Sequence, residues 1–178
     1  VHQLMRKGDV TLTEDEYMEV IRRKTAVLFQ AACTVSAIIA EAPPEKEKAL
    51  SDYGYNLGIA FQMIDDIFDY TMDTAELGKE VGADLREGKL TIPVIHALRQ
   101  ADSADRDQMV KIIQNEDFSV DEFKTLVALM EKNDGIDYTI KEATAYVEKA
   151  KEALSVFEAS KIRDSLYDIA DYALARRL

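Results

Sequence analysis

Hydrophobic residues recur along this chain at the three- and four-residue spacing of successive helix faces, and no stretch sustains the alternation of a strand. Capping signals divide the pattern: Thr13 with Glu16 and Ser119 with Glu122 have the form of capping boxes, and Ser160 caps the last helix. The predicted helices occupy residues 13–40, 44–72, 93–100, 105–114, 119–133 and 136–156, followed by the helix after Ser160. The predicted fold class is all-α.

Two of these helices carry further predictions about burial. Residues 26–40 are apolar almost all round, which predicts burial on several sides. The last helix is predicted to place on one side Ile162, Leu166, Ile169, Ala173 and Leu174. Gly54 and Gly58 each lower helix propensity by about 1 kcal/mol, so we expect them to permit close approach of a neighbouring helix. Gly135 is expected to mark the end of the helix before it.

Three aspartates, Asp65, Asp66 and Asp69, are the only charged side chains in residues 57–70, which are otherwise mostly apolar. In a helix Asp65 and Asp69 lie one turn apart, where like charges repel, and unpaired charge beside apolar surface is strongly disfavoured. Mg²⁺ commonly joins one or two carboxylates to substrate phosphates. The pattern therefore favours a magnesium site, and the alternative is an ordinary solvated acidic helix turn.

The segment after these aspartates is rich in glycine and basic residues. It contains three glycines, Gly78, Gly82 and Gly88, and three basic residues, Lys79, Arg86 and Lys89. Glycines let a backbone approach a ligand closely, and lysines are mobile point charges suited to phosphate. Carboxylates with a metal, followed by lysines, predict a diphosphate site.

Lys24 and Thr25 lie where the first helix changes from polar to apolar sequence. Without other observations such a pair is usually a snorkelling lysine beside a β-branched residue. The small side chains of residues 29–40 are compatible with close helix packing or with the wall of a lipid tunnel. Gln62 precedes Asp65 by three positions and Asp66 by four, so its amide could share their surroundings. His96 is assigned no chemistry.

Composition and charge narrow the function classes. The length of 178 residues suits one domain, and a net charge of −12 with a pI near 4.6 argues against nucleic acid as the partner. Cys33, the single cysteine, has no disulfide partner, which fits a reducing cytosol and predicts a cytoplasmic protein. No apolar run of transmembrane length is present.

Taken together, these motifs resemble the trans-isoprenyl diphosphate synthases of the polyprenyl synthetase family, and the resemblance covers essentially all of residues 1–178. The matching stretches are the K-T motif at Lys24-Thr25-Ala26, the second aspartate-rich motif at Phe61-Gln62-x-x-Asp65-Asp66-x-x-Asp69, and the lysine loop at Gly78-Lys79, Gly82-x-Asp84 and Gly88-Lys89-x-Thr91-x-Pro93. Val1-x-Gln3-Leu4, Tyr53-Gly54 and Leu77-Gly78-Lys79 resemble bacterial members that make long-chain, octaprenyl-like products.

The resemblance implies the helical bundle of the isoprenoid synthases, of which this chain would be the C-terminal portion. It implies a Mg²⁺-dependent prenyltransferase that condenses isopentenyl diphosphate with an allylic diphosphate into a long-chain all-trans lipid of the quinone side-chain type. The implied roles are metal binding for Asp65, Asp66 and Asp69, diphosphate binding for Lys24, Lys79 and Lys89, and contact with the carbocation for Thr25 and Gln62. Family members are usually homodimers, and residues 26–40 are a plausible interface.

One departure from the family pattern limits these expectations. The family's first aspartate-rich motif is absent, since Asp65-Asp66 is the only adjacent aspartate pair. The polypeptide therefore resembles a fragment that holds half an active site, and we expect it to have little or no turnover by itself. Two alternatives stay open: a non-catalytic helical subunit or interaction module of the same fold, and a class I terpene cyclase. The cyclase is not expected to retain the K-T, F-Q and G-K-x-T motifs together.

Overall fold

The computed structural model describes residues 8–71, 82–115 and 117–176, and every regular element in these ranges is helical, as predicted. In chain order the helices are α1 (Glu14–Ile21), α2 (Val27–Ile39), α3 (Pro44–Thr71), α4 (Ala83–Arg86), α5 (Ile92–Gln100), α6 (Ser103–Ile113), α7 (Val120–Lys132), α8 (Gly135–Ala153) and α9 (Lys161–Ala175). A π-helical turn, Arg22–Ala26, joins α1 to α2, and a 3₁₀ turn, Leu154–Val156, follows α8. Within the described ranges, none of the helices has the length and apolar character needed to cross a membrane.

The predicted N-terminal caps are confirmed. The Glu16 amide donates to Thr13 Oγ1 at 3.3 Å while the Thr13 amide donates to Glu16 Oε2 at 3.0 Å, which is the reciprocal pattern of a capping box. Ser119 and Glu122 form the same arrangement before α7. Ser160 Oγ accepts from the Arg163 amide at 3.2 Å at the start of α9. These caps form because their partners lie only three residues apart in sequence.

The predicted single helix over residues 13–40 is interrupted. The π-helical turn at Arg22–Ala26 separates α1 from α2 and contains both Lys24 and Thr25. A π turn accommodates an extra residue without ending the helix, so neither a glycine nor a proline marks it in the sequence. Such turns are frequent at functional sites.

The chain divides into two compact units, Val1–Val20 with Asp65–Thr139 and Ile21–Ile64 with Ile140–Leu178. The core of the second unit joins α3, α8 and α9 through the buried side chains of Tyr53, Leu57, Ala60, Val147, Ala150, Leu154, Ala170 and Ala173. Tyr53 also donates its hydroxyl to the Leu166 carbonyl at 2.8 Å. Burial raises the pKa of Tyr53 to about 12, with a smaller contribution from Cys33, so this donor keeps its proton.

Gly54 and Gly58 are the points where α2 packs against α3, as predicted. A Cβ atom at Gly54 would lie 2.5 Å from the Phe29 carbonyl oxygen. A Cβ atom at Gly58 would lie 2.7 Å from Ala26 Cα and 3.1 Å from Phe29 Cβ. The contact is therefore with backbone as well as side chains, and it requires glycine at both positions.

The prediction that residues 26–40 are buried on several sides is wrong. Only Ala26 and Ala37 of this stretch are buried. Large side chains on the rest of the helix are exposed in this chain: Val27, Leu28, Val35, Ile38 and Ile39, the last at 77%. Apolar residues occur on nearly every side of this helix, so the sequence could not show that only one stripe of α2 contacts α3. The exposed side chains form an apolar surface, called here the α2 apolar face.

The predicted apolar side of the last helix also needs correction. α9 buries Ala170 and Ala173 and partly buries Leu166, but Ile162 is 77% exposed and Ile169 is 51% exposed. The small residue Ala170 allows α9 to pack closely on the core of its unit. The buried stripe of α9 therefore contains Leu166, Ala170 and Ala173 but leaves out Ile162 and Ile169.

In the first unit, α7 ends at Lys132 and α8 begins at Gly135, so Gly135 starts a helix rather than only ending one. Asp134, with φ of 58°, is the left-handed residue of this turn. A Cβ atom at Gly135 would lie 2.2 Å from the Pro93 carbonyl oxygen. Glycine is needed here because the start of α8 touches the backbone of α5.

Candidate functional site

The three aspartates of α3 differ in their surroundings. Asp65 is exposed, whereas Asp66 and Asp69 are 2% and 8% exposed. The alternative of an ordinary solvated acidic turn therefore fits Asp65 only. Among the described residues, no three His, Cys, Asp or Glu side chains are gathered as a ready-made metal site.

Asp66 is held by a tyrosine from another helix. Tyr17 on α1 is 3% exposed, and its hydroxyl donates to Asp66 Oδ2 in a short hydrogen bond. Burial, with the negative charge of Asp66 second, raises the pKa of Tyr17 well above its usual range. Tyr17 therefore stays protonated and donates a charge-assisted hydrogen bond to the buried carboxylate.

Asp69 binds the backbone of residues 82–84, the part of the lysine loop that begins α4. Asp69 Oδ2 accepts from the Asp84 amide at 3.0 Å, and its carbonyl accepts from the Gly82 amide at 3.1 Å. Gly82 has a φ of 74°, and a Cβ atom there would lie 2.5 Å from the Phe123 ring. Only glycine fits this turn, which starts α4 immediately beside the end of α3.

Asp84 in turn orients Lys89. The ammonium of Lys89 lies 3.0 Å from Asp84 Oδ1 and also pairs with Glu87 Oε2 at 2.5 Å. Partial burial disfavours the charged form of Lys89, but the bonds to Glu87 and Asp84 outweigh it, and the pKa of Lys89 is raised. Asp69, Asp84 and Lys89 thus form a chain of contacts that connects α3 to a charged ammonium group.

Thr91, the threonine of the G-K-x-T motif, is buried at the C-terminal end of the lysine loop. Its hydroxyl lies 3.0 Å from the Tyr70 hydroxyl, and the Tyr70 ring stacks on Phe123 with centroids 6.2 Å apart. Arg86, the basic residue of the loop between Lys79 and Lys89, lies over the Phe118 ring at 4.2 Å. Arg86 therefore packs against an aromatic surface at this end of the unit.

In the second unit, the structure brings Thr25 and Gln62 together. Thr25 Oγ1 donates to Gln62 Oε1 at 2.6 Å, and Gln62 is 8% exposed. Lys24 precedes Thr25 on the π-helical turn and is exposed. Sequence reasoning proposed a shared role for Thr25 and Gln62 but could not show that they touch.

Two residues without a predicted role in the site contact predicted site positions in the structure. Arg176 lies 3.8 Å over the Phe61 ring and donates to the Phe61 carbonyl at 3.3 Å, next to Gln62. Tyr17 received no role at all. In both cases the partner is more than 45 residues away, so no local pattern could have found it.

Some predicted site positions fall outside the described residues. Gly78 and Lys79 lie in residues 72–81, and the Val1-x-Gln3-Leu4 stretch lies in residues 1–7. Their assignments stay as predictions. His96, to which no chemistry was assigned, is buried and stacks on Tyr138 with ring centroids 3.7 Å apart.

A family profile described as polyprenyl synthetase matches residues 1–130 of the chain. The chain belongs to the polyprenyl synthetase family. It is 39% identical over 176 residues to octaprenyl diphosphate synthase of Escherichia coli, covering 99% of this chain and 54% of that protein. It is 39% identical over 165 residues to the short chain isoprenyl diphosphate synthase of Methanothermobacter thermautotrophicus, covering 93% of this chain and 50% of the relative. The chain thus spans about half the length of these curated relatives.

Solved structures agree with this membership. Polyprenyl synthase from Caulobacter crescentus CB15, complexed with calcium and isoprenyl diphosphate, superposes with a TM-score of 0.92 at 39% identity, over 99% of this chain and 54% of that one. The fold is the all-α fold of the isoprenoid synthases. The family's proteins are prenyltransferases, and their names cover both short and long products.

Proposed function

We propose that this chain carries the second aspartate-rich motif and the lysine segment of a Mg²⁺-dependent trans-prenyltransferase. The reaction condenses isopentenyl diphosphate with an allylic diphosphate to give a long-chain, octaprenyl-like polyprenyl diphosphate. The observation that carries the proposal is the series of contacts from Asp69 through Asp84 to Lys89. It joins the carboxylates of α3 to a phosphate-binding type of side chain within one unit.

The donor set fits the proposed cation. Carboxylate oxygens are the hard ligands that Mg²⁺ prefers, and Mg²⁺ usually takes only one or two of them together with phosphate oxygens. Asp65 and Asp66 would hold the ion, and Asp69 would contribute directly or through water. When bound, the ion neutralises negative charge on the departing diphosphate as a Lewis acid.

The chain's own residues would do the remaining work. The charged ammonium of Lys89 binds the diphosphate and stabilises the negative charge that develops as the allylic carbon–oxygen bond breaks. Lys24 and Lys79 are proposed for the same diphosphate by their motifs. The Thr25 hydroxyl donates its hydrogen bond to Gln62. The lone pairs of the Thr25 oxygen would then stabilise an allylic carbocation without adding a negative charge. The double bond of isopentenyl diphosphate then attacks that carbocation, and the new cation loses a proton to the released diphosphate, which forms the double bond of the product.

A second candidate is a non-catalytic helical subunit or interaction module. The α2 apolar face favours it, because a contiguous exposed apolar surface on a soluble protein commonly marks an interface. The same face is the proposed contact of a homodimer. The two candidates differ in chemistry, since only the prenyltransferase requires the aspartates and lysines to bind a ligand.

Calorimetric titration of the 178-residue chain with Mg²⁺ and a non-hydrolysable allylic diphosphate tests the proposal. By linkage, each ligand should raise the affinity for the other by the same factor, and we expect a factor of about 10 or more. Independent binding, or no binding of either ligand, would favour the non-catalytic module. Turnover with isopentenyl diphosphate is expected to be low for this chain by itself.

A further inference from the structure

Tyr17 lies outside the family motifs and contacts Asp66, a proposed metal ligand. It is 3% exposed, and its hydroxyl donates to Oδ2 of Asp66, which is itself 2% exposed. Tyr17 lies seven positions before Lys24 and 49 before Asp66, in a segment to which the sequence assigned no chemistry.

The helix that carries Tyr17 is anchored at its N-terminus. Besides the capping box that begins α1, Glu14 Oε1 accepts from the Tyr138 hydroxyl at 2.5 Å on α8, and Glu14 Oε2 lies 3.7 Å from Arg99 Nη1 on α5. The Tyr138 ring is stacked on His96. Tyr17 therefore projects from a helix that two side chains of the same unit, Tyr138 and Arg99, hold at its N-terminus.

A buried carboxylate needs such a partner to serve as a metal ligand. The torsion about the Cβ–Cγ bond of an aspartate is soft, so the two oxygens have no strongly preferred direction by themselves. A hydrogen bond to one oxygen sets that torsion and thereby the direction of the other. Partners of ligating carboxylates commonly act in this way, and their removal weakens metal binding.

We propose that Tyr17 is a positioning residue for the metal site: its hydroxyl fixes the rotation of the Asp66 carboxylate in the orientation that binds the divalent cation. The inference rests on the proposed function, because it requires Asp66 to be a ligand. It adds a residue from α1 to a site otherwise drawn from α3. A phenyl ring without the hydroxyl would fill nearly the same buried space, so a substitution can separate the hydrogen bond from the packing.

The substitution Tyr17→Phe separates these contributions, because it removes the hydroxyl and keeps the ring. Free Mn²⁺ measured by electron paramagnetic resonance, with a non-hydrolysable allylic diphosphate present, gives the cation affinity without any turnover. We expect Tyr17→Phe to weaken Mn²⁺ binding by about 10-fold. In an Asp66→Asn background the same change should have no further effect, because the two residues act as a pair.

Tyr53→Phe is the matched control. Tyr53 is also a buried tyrosine, but its hydroxyl donates to the Leu166 carbonyl in the other unit. This variant loses a buried hydrogen bond of its own and should bind Mn²⁺ like the wild type. Equal Mn²⁺ affinity for folded Tyr17→Phe and wild type would overturn the Tyr17 inference alone. Absence of Mn²⁺ binding by the wild type would overturn the proposed function as well.

A measurement on the wild type covers the case in which Tyr17→Phe does not fold. With ¹³C-labelled tyrosine, the Tyr17 Cζ resonance should shift when Mg²⁺ and the diphosphate bind, because the cation withdraws charge from Asp66 and weakens the phenol's hydrogen bond. The Tyr53 Cζ resonance should not shift. A Tyr17 resonance that stays in place while Mg²⁺ binds would overturn the inference.

Discussion

The double variant Asp65→Ala, Asp66→Ala is expected to bind a non-hydrolysable allylic diphosphate at least about 100-fold less tightly than the wild type in Mg²⁺, since a bound divalent ion contributes several kcal/mol. The loss arises because the cation has no carboxylates to join to the phosphate oxygens. Without Mg²⁺ the two proteins should differ little, or the variant should bind slightly better, since two negative charges have been removed. Calorimetry at two Mg²⁺ concentrations measures both quantities.

Asp164→Ala, Asp168→Ala provides the control for net charge. These aspartates are exposed on α9 and lie one helical turn apart, so their removal changes the charge by the same amount on an acidic chain. This variant should keep the Mg²⁺-dependent part of the diphosphate affinity. Loss of that part in both double variants would mean that Mg²⁺ acts only by screening a charge of −12.

The second large effect is on stability. Gly58→Leu should lower the free energy of unfolding by about 3 kcal/mol or more, because overpacking a close contact forces shifts of backbone. The atom nearest to the new Cβ is Ala26 Cα at 2.7 Å, which cannot move as a flexible side chain would. Urea denaturation followed by circular dichroism gives the value.

Ala32→Leu is the comparison for that experiment. Ala32 lies on the exposed side of α2, so added bulk there meets no neighbouring backbone in this chain. Its effect should stay within about 0.5 kcal/mol, as for most surface substitutions. Helix propensity favours leucine over glycine, so it opposes the loss expected for Gly58→Leu. Similar stability changes for both substitutions, or no destabilisation by Gly58→Leu, would show that the contact between α2 and α3 does not control stability at Gly58.

The local features of the fold could be read from the sequence. The caps at Thr13, Ser119 and Ser160 join groups only three residues apart. The spacing of hydrophobic residues in each segment likewise indicates a helix without reference to the rest of the chain. The role of Gly54 and Gly58 followed from the same local logic, because glycine inside a long helix is unfavourable without a packing reason. These predictions needed no knowledge of which helices meet.

The features that were missed depend on distant contacts. A uniformly apolar pattern over residues 26–40 could not show that α2 buries only one stripe, and the π-helical turn around Lys24 has no composition of its own. The Tyr17 bond to Asp66 and the Arg176 contact with Phe61 join residues 49 and 115 positions apart. The motifs therefore predicted the chemistry, while the structure shows which distant side chains contact Asp66 and Phe61.

Paramagnetic relaxation by Mn²⁺ most directly tests the central claim, that the α3 aspartates and Lys89 hold a cation and a diphosphate. The ¹⁵N-labelled chain would be mixed with a non-hydrolysable allylic diphosphate and substoichiometric Mn²⁺, and broadening of amide signals would be mapped by residue. We predict the strongest broadening at Asp65, Asp66 and Asp69, extending to Lys89, and its loss in Asp65→Ala, Asp66→Ala. Broadening spread over other acidic surfaces, such as α9, with the α3 signals unchanged, would contradict the account.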